Sequence, residues 1–209
     1  MLEAITYQKM LLDIQHNQIT EDTIGILITR PDLDGGKSII NSLNYYHHLS
    51  GKSTNFYLPG FGAYWYEAYP DEREVTEIDG AKWYYSDKMF VDFISDLEKY
   101  SKWQYSGETE LLMLEYKDGI LSFDNMMCFY LDNMLRDNVI VSVPSFFQQL
   151  FRIHNRRRAT KDISNTLGRD KAIQITKDII LDTIPAELSE LFVQEKYFSV
   201  KNCGRKSYL

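Results

Sequence analysis

The densest chemistry in the chain is Asp32-Leu33-Asp34-Gly35-Gly36-Lys37-Ser38. Two carboxylates at i and i+2 after an apolar run can share one hard cation through their oxygens. Two glycines let backbone N–H groups approach an anion, Lys37 adds a positive charge, and a helix starting at Ser38 would aim its positive end at the same point. Asp32, Asp34, Gly35, Gly36, Lys37 and Ser38 are therefore the candidate ligand-binding residues, suited to a phosphate-bearing or metal-bridged ligand. The same composition is also ordinary turn chemistry between a strand and a helix, with Asp34 or Ser38 as the cap. No residue is assigned a catalytic role, and a divalent metal enters as cofactor only if the two aspartates serve an enzyme.

The stretch is not a Walker A loop, because Arg30 stands where the first glycine belongs, and Gly-x-Gly-x-x-Gly is absent. Ile26–Ser38 resembles the first motif of DHH-type phosphoesterases, an apolar strand followed by a Pro-Asp-x-Asp turn and a helix. That resemblance implies metal binding by the aspartates. It lacks the preceding histidine, near whose place Arg30 lies, and the later Asp-His-His motif, since His47-His48 has no aspartate before it. Asp32-Leu33-Asp34-Gly35 also resembles the nucleophile motif of haloacid dehalogenases, with Gly36 in place of the threonine. Its late acidic motif has only a loose echo, Ser86-Asp87 with Asp92, too early in the chain.

Glu115 and Lys117 share one face of a predicted strand. Glu-x-Lys in that setting resembles the PD-(D/E)xK nuclease core, in which acid and lysine hold a metal and a water. An upstream aspartate would have to join them, and Asp92 and Asp96 sit on a predicted helix. The four histidines, His16, His47, His48 and His154, and the two cysteines, Cys128 and Cys203, show no zinc spacing, so no metal set is assigned. Adjacent helical residues point about 100° apart, so His47 and His48 are expected to divide between packing and solvent. Cys128 lies among Met126, Met127 and Phe129 and reads as a buried thiol.

Two further groups suit contacts with other molecules. The aromatic run Tyr64, Trp65, Tyr66 offers rings with polar tips for an interface or a ligand wall. Arg156, Arg157 and Arg158 end a predicted helix, where they complement its dipole and could also dock on an acidic face. Residues 152–177 hold eight Lys or Arg against two acids, a net of +6, which leaves −13 on the rest of a chain of net charge −7. Basic and aromatic residues lie in separate segments, which disfavours nucleic acid as a direct ligand.

The elements that must position these groups follow from periodicity. Residues 3–16 read as a helix with Tyr7, Met10, Leu11 and Ile14 on one face. Thr23–Thr29 and Ser53–Leu58 read as strands flanking a helix that runs from Ser38 to Gly51, a βαβ unit with parallel strands. Asp79-Gly80 marks a hairpin between 74–78 and 81–85. Ser86 caps a helix to about Lys99 that buries Phe90, Phe93, Ile94 and Leu97. Leu111–Tyr116 is a strand and Ile120–Phe123 a short one; a helix capped by Asp124 carries Met127, Tyr130, Leu131, Met134 and Leu135. Pro144 starts another helix, and the tail from Lys201 should fray.

These elements define an α/β fold: a mixed, partly parallel sheet of about five strands, helices on its faces, and a helical C-terminal part. The 209 residues divide as an α/β domain over 1–155 and a basic helical appendage over 156–209, or form one continuous domain. Two cysteines without a CxxC pair fit a reducing cytoplasm. No uncharged run approaches the roughly 18–20 residues that span a bilayer. The function expected is a soluble intracellular accessory or regulatory protein. It would work through a protein partner or a second copy of itself and sense a phosphorylated small molecule. A phosphoesterase using Asp32 and Asp34 and a nuclease built on Glu115 and Lys117 are the enzymatic alternatives.

Overall fold

The computed structural model describes residues 2–4, 6–16, 21–49, 55–65, 67–117, 120–148, 150 and 194–204. Its centre is the apolar run that the sequence marks as a doubly covered strand. Strand β2 (Glu21–Ile28) buries Ile24, Ile26, Leu27 and Ile28 completely. Side chains of a strand alternate between faces, so full burial of consecutive residues requires cover on both sides. Strand β1 (Leu2–Ala4) and helix α1 (Tyr7–His16) precede it; helices α2 (Asp34–Ile40) and α3 (Leu43–Leu49) and strand β3 (Asn55–Pro59) follow. Strands β2 and β3 pair in parallel, and so do β3 and β1. The predicted strand–helix–strand unit is present, with its helix in two pieces. Asn41 is the C-cap of α2, and Ser42 donates its N–H to Ile39 at the break.

At Gly60 the chain leaves this sheet. Its φ of +80° turns the backbone from β3 into strand β4 (Phe61–Ala63), where a side chain would strain. Strand β4 pairs with β6 (Ala81–Tyr85), which pairs with β5 (Arg73–Ile78), giving a three-stranded antiparallel sheet. Asp79 and Gly80 both have positive φ, +50° and +80°, as the two-residue hairpin turn requires. Helix α4 (Asp87–Tyr100) begins at the expected cap, where the Ser86 hydroxyl accepts the Met89 N–H at 3.2 Å. Its Phe90, Phe93, Ile94 and Leu97 are buried as the periodicity predicts.

Strand β7 (Glu110–Lys117) runs antiparallel along β2, and strand β8 (Ile120–Tyr130) runs antiparallel along β7. Here the structure differs from the expected short strand and long helix. Residues 124–130 continue β8, and helix α5 (Leu131–Arg136) starts only afterwards. The apolar spacing of Met127, Tyr130, Leu131 and Met134 imitates a helical stripe. The backbone instead pairs on both sides, with β7 and with β9 (Phe198–Lys201). Strand β9 ends where the tail was expected to fray, and residues 202–204 stay attached beyond it. Beyond it the Cys203 N–H donates to the Phe123 carbonyl at 2.8 Å, and the Cys203 carbonyl accepts the Lys102 N–H at 2.7 Å.

Among the described residues the main sheet thus has six strands in the order β1-β3-β2-β7-β8-β9, parallel at one side and antiparallel at the other. This is a mixed α/β fold. The helical C-terminal region expected from the sequence, with Arg156, Arg157 and Arg158, lies outside the described residues. No helix among the described residues is long and apolar enough to cross a membrane.

Candidate functional site

The residues after β2 meet the residues before β7 and after β8, because Ile28 pairs with Glu110 and Glu110 pairs with Tyr130. Thr29, Arg30, Thr109, Glu110 and Asp132 are thereby gathered at one end of the sheet. Asp132 joins the three segments. One of its oxygens accepts the Gly35 N–H at 2.7 Å and the other accepts the Thr109 N–H at 2.6 Å. The Thr29 and Thr109 hydroxyls lie 2.9 Å apart in a buried hydrogen bond.

The two glycines are explained by this packing. A Cβ on Gly35 would stand 2.6 Å from Asp132 Oδ1 and 2.7 Å from Thr109 Oγ1. A Cβ on Gly36 would overlap the Arg30 carbonyl oxygen. Only glycine lets α2 sit this close to the strand end. The Gly35 N–H that would face an anion faces the Asp132 carboxylate instead.

The remaining residues of the predicted cluster point outward. Asp32 and Asp34 are exposed, and Lys37 Nζ lies 3.3 Å from Asp34 Oδ1 in an open ion pair. Ser38 is half-buried four residues into α2, whose N-cap is Leu33 without a side-chain cap bond. No three His, Cys, Asp or Glu among the described residues are grouped to hold a metal ion. Glu115 sits opposite Thr23 on one side and Ser122 on the other, so it belongs to the far half of β7. Five residues of strand separate it from the Glu110 end, about 17 Å. The structure does not bring it to Asp32 and Asp34.

Behind the turn lies a buried polar group. Glu110 is fully buried; its carboxylate accepts the Trp103 indole N–H at 3.2 Å and the Ser106 N–H at 2.9 Å. Burial pushes its pKa up, against the opposing pull of the Ser106 and Trp103 hydrogen bonds. The Arg30 guanidinium stands 5.1 Å over the Phe90 ring, and Tyr105 meets the same ring edge-on at 5.5 Å. Burial also raises the Tyr105 phenol, with Arg30 pulling it down and Glu110, Asp132 and Asp32 pushing it up. Arg30 carried a signal in the sequence: a cation that ends an apolar strand directly before proline. Asp132 carried none, since its partner glycine is 97 residues away.

Elsewhere, Tyr64 is 69% exposed and adopts a φ of +61°, while Trp65 is buried against Gly62 with Tyr69 at 4.8 Å. Tyr66 lies outside the described residues. His47 packs edge-on to Trp83 and the exposed His48 reaches Asp79 at 3.3 Å, the expected division. An open cleft of about 680 Å³ between α3 and residues 142–148 is lined largely by polar side chains, among them Asn41, Tyr45, His48, Ser142, Ser145 and Gln148. Its place is away from the strand end.

The class that fold and site define is a mixed-sheet α/β protein with a buried polar junction at the end of its central strands. Comparison with protein-family models, with curated proteins and with solved structures finds no match.

Proposed function

We propose that the chain is a regulatory or accessory protein of the cell interior, acting through contacts with a protein partner or a second copy of itself and responding to a small anionic molecule such as a phosphorylated metabolite. The observation that supports a binding role over catalysis is the engagement of the strand-end acids. Asp132 and Glu110 each accept two N–H groups of their own chain, and Asp34 pairs with Lys37. A metal-dependent phosphoesterase needs such carboxylates turned toward a shared ion. The exposed Tyr64, held in a left-handed conformation, suits the contact role. Nucleic acid is not the direct ligand in this reading.

The test is turnover of a generic phosphodiester with Mg²⁺ or Mn²⁺, alongside thermal shift with the same ions and a nucleotide panel. The proposal expects no turnover, and thermal shifts with anions that persist without metal. Turnover that vanishes in Asp32→Ala and Asp34→Ala would establish the phosphoesterase instead. A protein that is monomeric and captures no partner across its working concentration range would remove the accessory role.

A further inference from the structure

Two buried donors at the strand end have no acceptor among the described residues. Arg30 Nε and the Tyr105 hydroxyl are shielded from solvent and make no hydrogen bond. Buried polar groups in native proteins are nearly always paired, so an orphan of this kind calls for an explanation. Here there are two, and both side chains pack on Phe90, the guanidinium over its ring and the Tyr105 ring in a T-shaped contact.

Three acids around this end of the sheet are engaged elsewhere, and Asp32 is exposed. Asp132 holds Gly35 and Thr109, Glu110 holds Trp103 and Ser106, and Asp34 is with Lys37. Arg30 forms no ion pair among the described residues. It stands two residues past the end of β2, a strand parallel to β3. The ends of parallel strands are where open α/β sheets place ligands.

We propose that Arg30 and Tyr105 form a subsite for a small oxyanion, a carboxylate or a phosphate monoester, in which the guanidinium supplies charge and N–H donors and the Tyr105 hydroxyl donates a second hydrogen bond. Phe90 is the ring on which the guanidinium rests. A planar cation with several donors in one fork matches an oxyanion in both geometry and charge. The subsite rests on the small-anion role proposed above and moves it from the amides of the glycine turn to the arginine before them.

The test is calorimetric titration of the full chain with succinate, inorganic phosphate and AMP, for wild type, Arg30→Gln and Tyr105→Phe. Saturable binding of at least one probe is expected, weakened tenfold or more by Arg30→Gln and severalfold by Tyr105→Phe. Tyr105→Phe removes only an unpaired hydroxyl, so its melting temperature without ligand should equal or exceed that of wild type. A lower melting temperature in that variant would mean the hydroxyl is satisfied within the fold, and the subsite would be withdrawn. Binding that survives in both variants would overturn the subsite and leave the anion-responsive role standing. Absence of binding by wild type to all three probes would overturn both.

Discussion

Gly35 and Asp132 meet across 97 residues of chain, and this contact decides what the glycine turn can do. A carboxylate that satisfies two buried backbone N–H groups is a structural acceptor. Removing it leaves both donors unpaired, each at a cost of about 1–3 kcal/mol. Asp132→Ala is therefore predicted to destabilise the fold by about 3 kcal/mol, read as a drop of about 10 °C in melting temperature. Asp34→Ala removes an exposed ion pair and should leave the melting temperature unchanged. Equal effects of the two substitutions would refute this division of roles.

Glu110 makes a prediction of a different kind. Burial raises its pKa in the folded state, so over the window from the ordinary glutamate value up to the raised one the folded chain holds more protons than the unfolded chain. Stability then falls as pH rises through that window and levels off above it. Wild type should lose stability relative to Glu110→Gln as pH rises above the ordinary glutamate value, whatever the baseline difference between them. Urea midpoints at several pH values measure this, and a difference that is constant or of opposite sign would contradict it. Cys128 is likewise held by burial, its thiol pushed up to about 12. It should react with thiol reagents only after unfolding.

At the scale of elements, the sequence was legible where periodicity and turn chemistry agree. The β2–α2 turn, the Asp79-Gly80 hairpin and the Ser86-capped α4 are all local signals, and all three are present. Residues 124–130 were not legible, because Met127, Tyr130, Leu131 and Met134 satisfy a helical period while two neighbouring strands claim the backbone. The pairing of β9 with β8 is a contact of distant segments that no window of sequence displays. Its weight can be measured. Phe198 is buried, with its ring 4.9 Å from Phe129, so Phe198→Ala should cost about 3 kcal/mol. A neutral outcome would mean that β9 merely lies along the edge of the sheet. In α2, Gly36→Ala drives a methyl into the Arg30 carbonyl and should cost about 3 kcal/mol, although alanine is the better helix former.

At the scale of the molecule, the six-stranded sheet and its three-stranded companion share one core, joined by the turn at Gly60. The candidate site was legible only in part. Its place, the end of β2, follows from the run of Ile24 to Ile28 and the turn after it. Its chemistry does not, because the inward-facing partners Asp132, Thr109 and Glu110 come from segments that the topology brings together. The aspartates of the turn face solvent, and among the described residues the arginine that looks like the end of a strand has a buried Nε without an acceptor.

In the subsite proposed above, a small anion meets Arg30 and Tyr105 and not the amides of Gly35 and Gly36. Backbone amide NMR of the wild-type chain titrated with succinate or inorganic phosphate tests it residue by residue. Saturable shifts centred on Arg30, Phe90 and Tyr105, with the Gly35 amide held in place by Asp132, are the predicted result. Shifts centred on Gly35, Gly36 and Ser38, or no saturable shift anywhere, would contradict it.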